Sequence, residues 1–494
     1  MFCYNFSEVI YMKKYLRFLL PVMICTLIIA AVANAYDDNM FGAVFTCENK
    51  NGMIKDAKVT VSVKDTANIR DGFFTLEWSD GEKPIEGFTP IKVLDYSSDR
   101  TVEIELNNAL AIPDGAKGIQ VTWSSKKNDK TYTCYCEIPA ENYIKDAKLI
   151  TKFSVLSDIH IRSASDSDLH TKHFANALED ICSLAPDTSM IFSVGDNVDA
   201  GIESMWKKFA EMRDSFLEGK NIQWHCAIGN HEVSFGNASF YKYMKLFLDY
   251  SHLSNVYYSV DAYGSKFIVL GTEKGAESLY ANLSDDQLSW LKEELSKAEK
   301  GKPIFVFLHQ PLKDTTSGTL SYVNAAIQDW YGVNPNDELQ SILNSYPNVM
   351  LFCGHGHWTY DSLVPCLAGY GDAASYFNTA SVAYLWNDED REVVGSQGLF
   401  VEMYDKYTLI KAYDFANDKW MGAAQFMILS DQQAEDLAEA RKKAAEEAGK
   451  TPVSDAHTDD NDDKKGCGSV ISFAAAAAVT AFAPAMIKRR RKDQ

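Results

Sequence analysis

The chain has 494 residues and a formal net charge of −20 at pH 7. Its length exceeds that of one ordinary domain, and a hydrophobic share of 46% is normal for a globular protein, so the chain is not mainly disordered. The acidic balance argues against nucleic acid as an obligate partner, because phosphate backbones require a basic surface. It does not exclude small nucleotides.

The first 35 residues have the pattern of a secretory signal peptide. Basic residues at positions 13, 14 and 17 precede an apolar stretch at 18–32, and Ala-Asn-Ala follows at 33–35. This is the order of a signal peptide and its cleavage site. We therefore expect a secreted chain that begins near Tyr36, with an uncleaved N-terminal anchor as the alternative.

Residues 36–146 show the period-two alternation of strands. Turn signals such as Ser79–Gly81 separate the runs, which lie at 59–63, 72–78, 101–106, 118–123 and 131–136. The pattern predicts a β-sandwich domain of immunoglobulin or fibronectin type III character. Whether it shapes a cleft or acts as a spacer stays open.

Between residues 147 and 429, five short apolar runs each end on a polar cluster. Runs of this length predict buried strands, and they lie at 152–157, 190–194, 223–228, 303–308 and 349–353. The residues that follow them are Asp158 and His160; Asp196; Asn230, His231 and Glu232; His309; and His355 and His357. Because open α/β sheets hold their chemistry at the carboxyl ends of strands, these clusters predict one site.

The residue types in the five clusters are those of metal ligands. Carboxylates, neutral imidazoles and an Asn carbonyl suit Mn, Fe or Zn. A central carboxylate can bridge two cations about 3.5–4 Å apart, the separation used by two-metal hydrolases. The sequence therefore predicts a two-metal site.

The order Asp-x-His, Gly-Asp, Gly-Asn-His-Glu, His, Gly-His-x-His resembles that of the calcineurin-like metallophosphoesterases, over roughly residues 150–420. The resemblance implies a four-layer α/β/β/α sandwich for residues 147–429, two divalent or transition metal ions (Mn, Fe or Zn), and no covalent intermediate. It implies the following roles: Asp158, His160 and His357 on the first metal, Asp196 bridging, Asn230, His309 and His355 on the second, and His231 as the catalytic proton donor.

The implied reaction is in-line attack on phosphorus by a metal-bridging hydroxide, with a small phosphodiester or phosphomonoester as substrate. Plant-type purple acid phosphatases differ in using a Tyr where this chain has Asp199, and in lacking the equivalent of His160. The pattern is thus more similar to the branch that includes phosphodiesterases. Asp199 and Glu232 are candidates for orienting ligand imidazoles from outside the ligand set, with surface charge as the alternative.

Two further residue groups could line or support the site. His170 and His173 follow the first motif on a predicted helix, and we expect a supporting or solvated place for them rather than one at the rim of the site. Residues 322–331 are expected to lie on a cap over the cleft. Their aromatic rings either pack within the cap or stack on a nucleobase or lipid glycerol.

The C-terminal part predicts a tether and an anchor. Residues 430–466 indicate a solvated helix followed by a flexible acidic linker. In the tail, 467–494, the apolar stretch 470–487 would span ~27 Å as a helix, close to a bilayer core, and the basic cluster behind it would stay in the cytoplasm. A sorting signal processed at Cys467 is the alternative.

Together these features predict an extracellular phosphoesterase held at the membrane by one C-terminal helix. The alternative from another class is a surface-displayed binding or adhesion protein that uses an inactive phosphoesterase scaffold.

Overall fold

The computed structural model describes residues 40–64, 67, 69–138, 147–233, 239–274, 279–323 and 328–429. The predicted signal peptide, the linker at 430–466 and the tail at 467–494 lie outside these residues. Within them, none of the helices combines the length and apolar character needed to cross a bilayer.

The N-terminal region is rich in β-strands, which form two antiparallel sheets of order β1-β2-β5 and β4-β3-β6-β7. The strands are β1 (Phe41–Lys50), β2 (Met53–Val63), β3 (Gly72–Ser79), β4 (Lys92–Tyr96), β5 (Thr101–Glu105), β6 (Gly118–Ser125) and β7 (Thr131–Glu137). On β2, alternate residues are buried and the residues between them are more exposed. Val59 of the first sheet and Phe74 of the second belong to one buried cluster.

The second region contains, among the described residues, five helices and the strands of four further sheets, two large and two of only two strands. The strands are β8 (Leu149–Leu156), β9 (Thr188–Val194), β10 (Gln223–Ala227), β11 (Tyr258–Ala262), β12 (Ser265–Val269), β13 (Ala281–Asn282), β14 (Ile304–Phe307), β15 (Val333–Asn334), β16 (Val349–Cys353), β17 (Cys366–Leu367), β18 (Ser375–Asn378), β19 (Leu385–Trp386), β20 (Glu392–Val393), β21 (Gln397–Tyr404), β22 (Tyr407–Asp414) and β23 (Lys419–Leu429). The helices are α1 (Leu169–Leu184), α2 (Glu203–Leu217), α3 (Phe240–Ser251), α4 (Asp285–Ser296) and α5 (Asn336–Asn344).

The two large sheets each have six strands. The first has the order β10-β9-β8-β21-β22-β23, in which β8, β9 and β10 are parallel. The second has the order β11-β12-β14-β16-β18-β17, in which the four central strands are parallel. The five apolar runs identified in the sequence are therefore strands, three in the first sheet and two in the second.

Aromatic side chains fill the space between the two sheets. The ring of Phe192 on β9 stacks on that of Phe307 on β14 with centroids 4.0 Å apart, and Phe153 lies in the same buried cluster. Helices α1, α2 and α3 contribute to a cluster on the first sheet, and α4 and α5 contribute to one on the second. The α/β fold predicted for this region is confirmed.

The N-terminal region covers the edge strand of the first large sheet. Backbone hydrogen bonds run from Ala111 N to Gln425 O at 2.7 Å and from Met427 N to Ala109 O at 2.9 Å. The Trp78 indole donates to Gly422 O at 2.8 Å. Edge strands expose unpaired backbone groups, and these contacts satisfy several of those on β23.

Candidate metal centre

The polar clusters meet at one edge of the paired sheets. Strands β8, β9 and β10 end next to Asp158, Asp196 and Asn230, and β14 and β16 of the second sheet end next to His309 and His355. None of the seven predicted ligands has more than 6% of its surface exposed. The strand ends thus bring residues that are up to 199 positions apart in the chain, from 158 to 357, into one buried site.

The backbone at this site is held in an unusual conformation. Five predicted ligands have a positive φ: Asp158 (52°), His160 (47°), Asp196 (49°), His355 (67°) and His357 (56°). The left-handed region costs an L-residue roughly 1–2 kcal/mol. Such outliers persist where the surroundings enforce them, and they concentrate at functional sites.

One group of donor atoms comes from Asp158, His160 and His357, whose ligand atoms all lie within 4.8 Å of one another. The His357 Nε2 atom is 2.9 Å from Asp158 Oδ1 and 3.2 Å from His160 Nε2. These nitrogens and the oxygen converge on a common point, the arrangement that a bound cation requires.

A second group comes from Asp196, His309 and His355, whose ligand atoms also lie within 4.8 Å of one another. His309 Nε2 is 3.0 Å from Asp196 Oδ2 and 3.1 Å from Asn230 Oδ1. The Nδ1–H of His309 donates to Val194 O at 2.7 Å, which directs its Nε2 towards the site.

Asp196 lies between the two groups. Its Oδ2 atom is 3.0 Å from His309 Nε2 in the second group and 3.9 Å from His160 Nε2 in the first. Its Oδ1 atom accepts the backbone N–H of His231 at 2.8 Å. This is the position that a bridging carboxylate needs.

The charges of the site fit cations. Among the described residues, the basic groups that contact Asp158 and Asp196 are imidazoles rather than Lys or Arg. Burial alone would raise the pKa of Asp158, but His357 and His309 outweigh it and hold that pKa well below its usual range. Against the same burial, His309 and His231 lower the pKa of Asp196. Both groups are therefore buried carboxylates at neutral pH, and buried charges need a partner.

The imidazoles divide into two kinds. Burial lowers the pKa of His355 to about 3, so its imidazole is neutral, the form that ligates a metal. Burial also lowers the pKa of His357. For His160 burial would lower the pKa, but the nearby carboxylates of Asp158 and Asp199 raise it to about 10. At that position a cation must displace a proton, which makes metal affinity depend on pH.

Residues 151–359 match the family model of the calcineurin-like phosphoesterases. They form a calcineurin-like phosphoesterase domain. A protein of Arcobacter nitrofigilis named "Probable glycerophosphodiester phosphodiesterase" is 26% identical over 208 residues, which cover 41% of this chain and 70% of that protein. The class of enzyme is therefore a metal-dependent phosphoester hydrolase.

Two solved structures share a weaker likeness with the chain. A purple acid phosphatase from yellow lupin (Lupinus luteus) seeds is 13% identical with a TM-score of 0.43, over 79% of this chain and 74% of that one. GAP50, described as the anchor in the inner membrane complex of Plasmodium, is 13% identical with a TM-score of 0.36, over 59% of this chain and 94% of that one. At these TM-scores neither likeness supports a conclusion about this chain.

Glu232 of the phosphoesterase domain supports the ligand loops through their backbone. Its buried carboxylate accepts N–H groups of Asp196 at 2.9 Å, Asn197 at 2.6 Å and Gly229 at 2.7 Å. The sequence suggested that Glu232 orients an imidazole. The contacts instead show it fixing the turn that carries Asp196.

Asp199 and His231 form the more open side of the centre. The Asp199 carboxylate is 3.3 Å from His160 Nδ1, and its side chain is 41% exposed. The Nδ1–H of His231 donates to the backbone oxygen of Asp199 at 2.8 Å. The His231 side chain is 22% exposed, and its Nε2 lies 3.9 Å from Asp196 Oδ2.

His170 and His173 are both buried, and each contacts the backbone of a site loop. Asp168 caps α1 by accepting the His170 N–H at 3.0 Å. The Nδ1 atoms of His170 and His173 then reach His160 O at 2.9 Å and Ala383 O at 2.8 Å. Of the two places expected for these residues, the structure shows the supporting one.

Tyr384 belongs to the centre and was not identified from the sequence. Its ring centroid is 4.4 Å from that of His357 and 5.7 Å from that of His160, and its ring stacks on His170 at 5.6 Å. Tyr384 lies in no recognisable motif, so the sequence around it gives no local signal. Ser381, a few positions before it, donates to Asp158 O at 3.1 Å.

Close packing around Gly354 leaves no room for a side chain. A Cβ there would lie 2.4 Å from Asp158 Oδ2 and closer still to the hydroxyl of Ser157. Gly356 differs, because a Cβ at that position would meet nothing nearer than the Trp358 ring at 3.6 Å. The hydroxyl of Ser157 donates to Val194 O at 3.1 Å.

Proposed function

We propose that this protein hydrolyses small phosphodiesters or phosphomonoesters at a dinuclear metal centre. One observation carries the proposal: seven buried donor residues form two groups, and the carboxylate of Asp196 reaches into both. The first metal would be held by Asp158, His160 and His357, the second by Asn230, His309 and His355, and Asp196 would bridge them.

Two divalent cations bound there would lower the pKa of a bound water and neutralise charge on the phosphoryl oxygens. The chain's own residues supply orientation and a proton. Since the Nδ1–H of His231 is held by Asp199 O, the opposite nitrogen, Nε2, faces the centre. In its protonated form His231 would donate from Nε2 to the leaving oxygen, a role typically worth ~10²–10⁴-fold in rate.

The Asp199 carboxylate would position the ring of His160. It lies 3.3 Å from His160 Nδ1 and 3.9 Å from His231 Nδ1. Outer carboxylates hold metal-bound imidazoles in place in this way.

The experiment that tests the proposal offers two esters, a diester and a monoester, to the full-length protein. The hydrolysis of bis-p-nitrophenyl phosphate and of p-nitrophenyl phosphate is measured with Mn, Zn and Fe supplied separately. Turnover of either ester that requires metal supports the proposal. No bound metal and no turnover of either would instead support the binding-protein alternative.

We further propose that the enzyme acts outside the cell. The apolar segments at 18–32 and 470–487 support secretion and a single C-terminal anchor.

The shared cluster of Val59 and Phe74 supports an immunoglobulin- or fibronectin-like sandwich at 36–146. The clusters that pair helices with each large sheet support the four-layer arrangement.

A further inference from the structure

Two half-buried tryptophans lie beside the donor residues. The ring centroid of Trp330 is 6.0 Å from that of His355 in the second group and 5.9 Å from that of Trp386. Trp358, by contrast, is fully buried, and its indole donates to Asp388 Oδ1 at 2.9 Å. Trp330 and Trp386 thus each keep part of their surface exposed to solvent.

The backbone fixes both tryptophans to the ligand loops. Trp386 N donates to His357 O at 2.9 Å, and Trp330 N donates to Gly318 O at 2.9 Å. Gly318 lies against the Trp358 ring, since a Cβ there would meet it at 3.0 Å. The buried side chain of Gln328 accepts the Gly318 N–H at 2.6 Å. The rings are therefore placed in advance of binding, which lowers the entropic cost of using them.

The position of the tryptophans differs from that of the proton donor. His231 lies next to His160, with ring centroids 4.5 Å apart, in the first donor group. Trp330 lies next to His355 in the second group. A leaving group protonated by His231 would therefore sit at one end of the centre, and a second substituent on phosphorus would extend towards Trp330.

We propose that Trp330 and Trp386 form a stacking subsite for a planar group, such as a nucleobase, on the non-leaving side of a phosphodiester. This rests on the proposed phosphoesterase function and narrows it. A phosphomonoester has no second substituent to fill the subsite, so the preferred substrate is a nucleoside-containing diester. Stacking of a base on an aromatic side chain typically contributes ~1–3 kcal/mol.

The test uses two esters that share one leaving group. Thymidine 5′-(p-nitrophenyl phosphate) carries a nucleoside opposite p-nitrophenol, and methyl p-nitrophenyl phosphate carries a methyl group there. The full-length, metal-loaded protein should prefer the thymidine ester. The variants W330L and W386L should each raise KM for the thymidine ester roughly tenfold, by loss of one stacking contact, and change kcat/KM for the methyl ester less than twofold. W330F, which keeps a ring, should lie between.

The control is W290L. Trp290, on α4, is half-buried as well, but its ring packs on that of Tyr257, with centroids 4.9 Å apart. W290L should leave KM and kcat/KM for both esters unchanged.

As a readout other than turnover, calorimetry should show that thymidine 5′-monophosphate binds the wild type more tightly than methyl phosphate does, and that W330L removes this difference.

Two outcomes would overturn the subsite. One is an equal loss of activity towards both esters in W330L and W386L, because the two rings would then only position His355 and His357. The other is hydrolysis of both esters by the wild type without any preference. If the wild type bound metal but hydrolysed neither ester, the proposed function itself would be wrong, and that result is distinct from both.

Discussion

The carboxylate of Glu232 lies under the loop that carries Asp196, and its Oε2 atom accepts the Asp196 N–H at 2.9 Å. Further N–H groups of Asn197 and Gly229 point to the same carboxylate. A buried acceptor that serves several donors holds a turn that no regular secondary structure stabilises. The position of Asp196 therefore depends on Glu232.

Replacement of Glu232 by Ala should destabilise the fold and weaken metal binding together. Each buried N–H left without an acceptor costs roughly 1–3 kcal/mol. We expect a lower unfolding temperature and fewer than two metals per chain, measured by calorimetry and elemental analysis. E389A, on an exposed residue paired with Arg391, is the control. Normal stability and metal content in E232A would contradict this role.

Substitution of Gly354 by Ala should abolish activity, whereas the same change at Gly356 should be tolerated. The new Cβ at 354 would lie 2.4 Å from Asp158 Oδ2 and displace it, and at 356 the nearest atom is 3.6 Å away. Hydrolysis of bis-p-nitrophenyl phosphate by the two variants gives the comparison. Equal activities would show that the contact at Gly354 is not critical.

The variant H231A should retain metal and lose turnover. His231 belongs to neither the Asp158 group nor the Asp196 group of donor atoms, although its ligand atom lies within 4.8 Å of those of His160 and Asp199. Its Nε2 is 3.9 Å from Asp196 Oδ2. We expect kcat to fall by ~10²–10⁴-fold, the usual worth of a general acid. Elemental analysis of the same sample provides the check: a missing metal would make His231 a ligand.

Glu294 on α4 should make stability depend on pH. Burial would raise its pKa, but hydrogen bonds from Lys297, Ser259 and Lys266 outweigh burial and lower the pKa from 4.5 to about 2. A depressed pKa gives stability that is present above about pH 4.5 and is lost as pH falls towards about 2. This lowering of the Glu294 pKa corresponds to about 3 kcal/mol in the free energy of unfolding.

Urea unfolding of wild type and E294Q at several pH values measures this effect. The variant should be less stable near neutral pH, and the gap should narrow as pH falls below about 4.5. E338Q is a suitable control, because Glu338 pairs with Lys292 at an exposed position. A gap that stays constant with pH would show that the Glu294 ion pairs do not contribute.

The strand ends and their polar residues could be predicted from sequence because each motif is local. A short apolar run followed by Asp, Asn or His indicates both a buried strand and a metal ligand at its end, within a few residues. The hairpin of β1 and β2 was also local, since Asn51 and Gly52 join the strands with positive φ and Asn-Gly is a strong hairpin signal, yet β1 was not predicted. β4 was missed as well, for it has five residues and only Tyr96 among them is buried.

The contacts of the supporting residues could not be predicted, because they join distant parts of the chain. The Nδ1 atom of His173 meets Ala383 O across 210 positions, and Tyr384 reaches His160 and His357 only once β8 and β16 are paired with their neighbours. The role of Glu232 was also hidden, since the backbone N–H groups that it accepts carry no sequence signature.

The most direct test of the central claim is the metal content of the wild type and of D196N, measured by elemental analysis alongside hydrolysis of bis-p-nitrophenyl phosphate. If Asp196 bridges two cations, the wild type should hold two metals per chain, and D196N should hold fewer and be inactive with its fold intact by circular dichroism. Two metals and full activity in D196N would contradict the bridging role, and a wild type that never binds more than one metal would contradict the dinuclear centre.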